Sequence, residues 1–66
     1  MTRLFKIGNC FYDENLGRFL TIDGTHFDSK TFRVIEEELD ESGEYSITGT
    51  LIMTAGELRQ SRYRQV

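Results

Sequence analysis

Short segments in which apolar and polar residues alternate run through most of the chain, with glycines between them. The clearest is residues 45–53, where Tyr45, Ile47, Gly49, Leu51 and Met53 alternate with serine and threonine. A period of two is typical of a β-strand with one buried face. The pattern predicts that the odd-numbered side chains of this strand face the core and that the hydroxyl side chains face water. Ile52 interrupts the alternation and indicates a stretch that is buried on both sides.

Three earlier segments also have the composition of strands: residues 4–12, 18–23 and 31–38. Turn residues at 13–17 predict a hairpin between the first two, and residues 40–43 predict a hairpin tip before the clearest strand. Repeated short strands separated by turns indicate an all-β fold. We therefore expect a small antiparallel meander or open barrel of four to five strands.

The segment at about residues 29–40 allows a second interpretation. Phe32, Ile35 and Leu39 recur at the spacing of one helical face. A helix here would make the fold α+β, with the helix packed across a smaller sheet. The strand at 45–53 needs a pairing partner close in the sequence, which favours a strand over the helix.

The end of the chain is less clearly patterned. Thr54 and Glu57 have the spacing of a capping box and predict the start of a short helix. Residues 58–66 contain few apolar side chains, so they predict either a last strand or a flexible basic tail. Nothing in the sequence indicates a domain boundary, and we expect one small domain over residues 1–66.

The composition limits what the protein can be. The chain has 66 residues, of which 38% are hydrophobic and 29% charged, and a chain this short buries only about 60% of its unfolded surface. Cys10 is the only cysteine, so an internal disulfide is excluded and the fold depends on packing, which we expect a homo-oligomer to assist. No apolar run reaches the roughly 18 residues of a membrane span, and the first residues are charged. We expect a cytoplasmic protein with no membrane partner.

Few residues could support catalysis or bind a metal ion. Cys10 and His26 are the available nucleophile and base. The simpler interpretation is that Cys10 is a small core residue and that His26 is a turn residue at the surface. Asp23, His26 and Asp28 could offer ligands to a divalent ion, although aspartate is common in turns for backbone reasons. The glycines form no phosphate-binding loop. We therefore expect no enzyme activity, no metal and no cofactor.

Charge is distributed unevenly along the chain. Residues 36–57 contain seven acidic and no basic side chains. Most of these acids surround the predicted hairpin tip at residues 40–43. An acidic hairpin is either a solvated end that discourages edge-to-edge aggregation or a surface for a basic partner. The hypothesis for function is a non-catalytic protein-interaction module, a small adaptor or inhibitor, that presents an acidic hairpin tip to a basic surface on a larger protein. The predicted contact residues are Glu36, Glu38, Asp40, Glu41 and Glu44, with Tyr45 as an aromatic anchor.

The basic C-terminal end supports an alternative. Arg59, Arg62, Tyr63 and Arg64 interleave cations with an aromatic ring, which is typical of contacts to single-stranded nucleic acid. Three arginines release few counterions, and the acidic middle of the chain would repel phosphate. The same four residues could instead meet the acidic tip of a second copy in a homo-oligomer.

Overall fold

A computed structural model describes residues 5–25 and 30–66. These residues form one open antiparallel sheet with the strand order β4-β3-β2-β1-β5, which confirms the predicted all-β fold. Strands β1 to β4 form a meander, and β5 returns to pair with β1. The elements are β1 (Cys10–Asp13), β2 (Arg18–Thr25), β3 (Thr31–Leu39), β4 (Tyr45–Thr54), α1 (Ala55–Leu58) and β5 (Tyr63–Gln65).

The helix considered for residues 29–40 is wrong, because residues 31–39 form β3. This strand pairs with β2 on one side and with β4 on the other. Its β-branched residues Thr31, Val34 and Ile35 suit a strand between two neighbours. The helical spacing of its apolar residues therefore does not decide its structure.

The core lies on one side of the sheet, which we call the core face. Leu58 of α1 is buried there, and Phe5 packs against the same cluster. The capping box predicted at Thr54 and Glu57 is present and begins α1. The Cα atoms span only 15 Å in the thinnest direction, in agreement with a single sheet and a thin core. The buried apolar residues are Phe11, Leu20, Ile22, Phe32, Val34, Met53, Leu58 and Tyr63.

A β-bulge divides β4. Gly49 pairs with Glu36, and Ile47 pairs with Glu37, so Thr48 is an extra residue on β4. The prediction that all odd-numbered side chains of this strand face the core is therefore wrong. Met53 is buried, but Ile47 is 68% exposed because the bulge turns it to the opposite side, which we call the open face.

The two ends of the sheet differ from their sequence patterns. Strand β1 is shorter than predicted because the main chain turns before Cys10, with Gly8 at a φ of 96°. Residues 58–66, considered above as a flexible tail, are instead held by β5 and by the buried Leu58 and Tyr63. The backbone N–H of Val66 also donates to the carbonyl of Cys10.

Candidate functional site

A buried carboxylate joins three parts of the fold. The Asp13 side chain is 0% exposed. Its Oδ2 accepts hydrogen bonds from Arg18 Nε at 2.9 Å and Arg62 Nη2 at 2.8 Å, and its Oδ1 accepts one from the backbone of Asn15 at 3.0 Å. Burial alone would raise the pKa of Asp13, but the hydrogen bonds from Arg62 and Arg18 lower it to about 2. The folded protein therefore favours the ionised form of the Asp13 carboxylate.

Two of the predicted acidic contact residues belong to the same polar network. Arg18 forms an ion pair with Glu36, whose other carboxylate oxygen accepts from Thr48 Oγ1 at 3.2 Å. Thr48 Oγ1 is also 2.9 Å from Glu38 Oε1. Glu36 and Glu38 therefore lie on the core-face side of β3, where the hydroxyl of the bulged Thr48, with one proton to donate, is within hydrogen-bond distance of both carboxylates.

The hairpin tip between β3 and β4 contains the other predicted acids. Asp40 Oδ1 accepts from the backbone N–H groups of Ser42 at 2.9 Å and Glu44 at 3.0 Å. The hydroxyl of Ser42, followed by these backbone groups, lowers the pKa of Asp40. Asp40 therefore builds the turn, whereas the side chains of Glu41 and Glu44 are exposed beside it. We call Asp40, Glu41 and Glu44 the acidic tip.

Apolar side chains cover part of the open face next to the acidic tip. The ring of Phe19 contacts that of Tyr12 at 5.1 Å and that of Tyr45 at 4.9 Å between centroids. Tyr45 is 43% exposed and pairs with Leu39, which is also exposed, while Ile47 lies farther along β4. We call Phe19, Leu39, Tyr45 and Ile47 the open-face patch.

Sequence reasoning placed Tyr45 at the functional surface but assigned it, with Ile47, to the core face. The alternation along the strand hides the bulge, because Gly49 replaces a side chain at the point where the pattern changes face. A glycine inside a strand pattern is itself a signal of a bulge. Gly49 therefore indicates a bulge in β4, and the bulge places Tyr45 and Ile47 on the open face.

The basic C-terminal residues do not share one surface. Arg62 pairs with Asp13, and Tyr63 is buried. Arg64 lies 3.4 Å from Glu14 and over the Tyr12 ring at 5.9 Å, both at the surface. The guanidinium of Arg59 lies over the ring of Phe5, which packs against the core cluster. Arg62 and Tyr63 thus have structural contacts within the fold.

The residues considered for catalysis and metal binding are partly outside the described chain. His26 and Asp28 lie there, while Asp23 pairs with Arg33 at 2.8 Å. Cys10 is a free, partly buried thiol. Within residues 5–25 and 30–66 there is no pocket and no group of three metal-ligating side chains.

The single described helix has four residues, and the described part of the chain contains no helix able to cross a membrane. Comparisons with protein-family models, with curated proteins and with solved structures found no match. A functional conclusion therefore has to come from the surface chemistry of the open-face patch and the acidic tip.

Proposed function

We propose that the protein is a non-catalytic protein-interaction module, which binds a larger protein through the open-face patch and the acidic tip. The observation that supports this is their adjacency: the patch ends at Leu39 and Tyr45, and the tip residues 40–44 connect these two paired residues directly. The partner surface would combine an apolar area with neighbouring lysine or arginine side chains.

The patch has the features of an energetic centre. Ile47 and Tyr45 are 68% and 43% exposed, although the transfer of such apolar surface out of water is favourable. The contact with Phe19 at 4.9 Å holds the Tyr45 ring in place before binding. A tyrosine that is already ordered loses little conformational entropy on association, which is why such residues often dominate binding energy.

The acidic residues provide selectivity around this centre. Glu41 and Glu44 are exposed at the tip, and Glu37 lies between Phe19 and Ile47 in the cross-strand register. An apolar partner without cations would leave the Glu37 carboxylate desolvated and unpaired, which is costly. A basic partner would pair with these charges and associate faster through electrostatic steering.

A row of aromatic rings supports binding to single-stranded nucleic acid as a second candidate. Tyr12, Phe19 and Tyr45 follow one another across the open face, with Arg64 at the Tyr12 end. Bases stack on such rings with little sequence preference. Glu37 and the acidic tip lie beside the same rings and would repel phosphate, so the protein partner is the preferred proposal.

The first experiment compares capture of partners from a cell lysate by tagged variants, with and without nuclease. Tyr45→Ala truncates the anchor, and Ile7→Ala is its control, because Ile7 is an exposed apolar residue on the loop before β1. We expect one discrete protein to bind the native chain and Ile7→Ala and to be lost with Tyr45→Ala. Nuclease-sensitive capture of nucleic acid would favour the second candidate.

Binding kinetics with the recovered, purified protein then test the charge. Glu41→Gln with Glu44→Gln removes two of the three negative charges of the acidic tip, and Asp23→Asn with Glu57→Gln makes the same change in net charge elsewhere. We expect the tip variant to lower the association rate and its salt dependence, whereas Tyr45→Ala raises the dissociation rate. Equal effects of the tip variant and its control would contradict a role for the acidic tip.

A further inference from the structure

Strand β4 forms one edge of the sheet with few of the features that usually protect an edge. It lies outermost in the order β4-β3-β2-β1-β5, and its ten residues, YSITGTLIMT, include no charge and no proline. No described strand pairs with its outer side. Exposed edges normally carry lysine, proline or a bulge, because their unpaired N–H and C=O groups can pair with another strand.

The bulge protects only half of β4. It sits at Thr48, where the register with β3 shifts. From Gly49 to Thr54 the pairing with β3 is unbroken, but the backbone N–H of Thr54 already donates to Glu57 Oε1 at 3.1 Å in the capping box. Residues 49–53 therefore keep a regular outer ladder and are long enough to accept another strand, since strands of about five to six residues are common.

We infer that residues 49–53 of β4 pair antiparallel with the same segment of a second copy. A strand that pairs with itself about a two-fold axis uses its edge once in each copy, so the assembly closes as a dimer. This inference uses the backbone edge and does not depend on the proposed function.

The side chains of this segment fit a symmetric ladder. Thr50 and Ile52 lie on the open face, and Leu51 and Met53 on the core face. Antiparallel self-pairing places apolar and hydroxyl side chains opposite one another and brings no like charges together across the strands. Ile52, which is 55% exposed in the single chain, gains neighbours from the second copy.

Charge favours a second copy in the antiparallel direction. The acidic tip precedes β4, whereas the residues beside the other end of β4 are Lys30, which precedes β3, Glu57 of α1 and Arg59, which follows α1, so this end carries one more positive than negative charge. Antiparallel pairing directs the acidic tip of each copy toward the basic end of the other. Parallel pairing would bring the two acidic tips together. The β5 edge, with three residues, offers a shorter partner for β4.

Sedimentation velocity over a wide concentration range tests the inference with the full chain. We expect a species of twice the 7.7 kDa chain mass. Thr50→Lys with Ile52→Lys places four like charges across the shared ladder and should weaken the dimer at least about tenfold. Ile7→Lys with Leu16→Lys adds the same two lysines at exposed apolar positions outside β4 and should leave the dimer intact.

A cross-linking measurement covers the case in which the lysine variant fails to fold. In a Cys10→Ser background with a single cysteine placed in turn at each of residues 50 to 53, the residue that faces its own copy across the two-fold axis should form a disulfide-linked dimer under mild oxidation, because directly paired residues lie within disulfide distance. Leu16→Cys in the same background should not. A chain that is monomeric throughout, a dimer unaffected by the lysines with no cross-link in β4, or open-ended higher assemblies would each overturn the inference.

Discussion

At the scale of single residues, the two arginines that flank Tyr63 have different roles. Arg62 donates two hydrogen bonds to the buried Asp13 carboxylate, at 3.1 and 2.8 Å. Arg64 forms one longer contact with Glu14, and both of these side chains are largely exposed. In the sequence they appear equivalent, as parts of one basic segment. The return of β5 to β1 brings Arg62 to the buried Asp13 and leaves Arg64 at the surface, so only Arg62 has a structural role.

Exchanging each arginine for glutamine should show this difference. Arg62→Gln removes a charged, bidentate partner of a buried group and should lower the free energy of unfolding more than Arg64→Gln does. Arg64→Gln removes an exposed ion pair and should change it by less than about 0.5 kcal/mol. Urea unfolding followed by circular dichroism measures both. Similar losses for the two variants would mean that Arg62 does not stabilise Asp13 more than Arg64 stabilises Glu14.

At the scale of elements, the sequence predicted what depends on local pattern. Strand β4 and the capping box at Thr54 are local, and they appear where composition and spacing indicate them, whereas β3 is favoured over a helix because β4 needs a pairing partner. The bulge at Thr48 and the burial of Asp13 are not local. The first depends on the register with β3, and the second on arginines from two other parts of the chain. An aspartate in a turn segment carries no sign that it will be buried.

The hairpin tip offers a test of which acidic residues build the element. Asp40 receives hydrogen bonds from the backbone of Ser42 and Glu44, whereas the Glu41 side chain is exposed beside it. Asp40→Ala should therefore lower the free energy of unfolding, because the two backbone N–H groups lose their acceptor. Glu41→Ala, the matched loss of one negative charge, should change it by less than about 0.5 kcal/mol.

Chemical denaturation of the two variants at neutral pH gives these values, and amide exchange of residues 40–44 locates the change. Faster exchange in the Asp40 variant alone would show that its carboxylate holds the turn. If both variants behave alike, Asp40 acts only through its charge, and its place in the proposed binding surface would equal that of Glu41.

At the scale of the whole molecule, a single sheet with one covered face has a small core and depends on a few polar connections. Asp13 connects β1 to Arg18 at the start of β2 and to Arg62 before β5. These contacts hold three segments of the chain together around one buried carboxylate. The open face, on the other side of the sheet from the core, carries the open-face patch. Burial on one face and exposure on the other both follow from the single layer of the fold.

The stability of the whole domain should fall in acid through Asp13. Its pKa is about 2 in the folded protein, against an ordinary value of 3.8, so the folded state favours the ionised form. The stabilisation is fully present above the ordinary value and is lost as the pH falls through the folded pKa. A shift of this size corresponds to on the order of 2 kcal/mol.

Two measurements check this prediction. Carboxyl carbon shifts followed by NMR should give an Asp13 midpoint near 2 in the folded protein. Urea unfolding between about pH 5 and pH 2 should show a smaller acid-induced loss for Asp13→Asn than for the native chain. Asp23→Asn, which removes a carboxylate from an exposed ion pair with Arg33, is the matched control. A midpoint at or above the ordinary value would mean that the two arginines do not offset burial, and that Asp13 does not anchor the sheet as an ion.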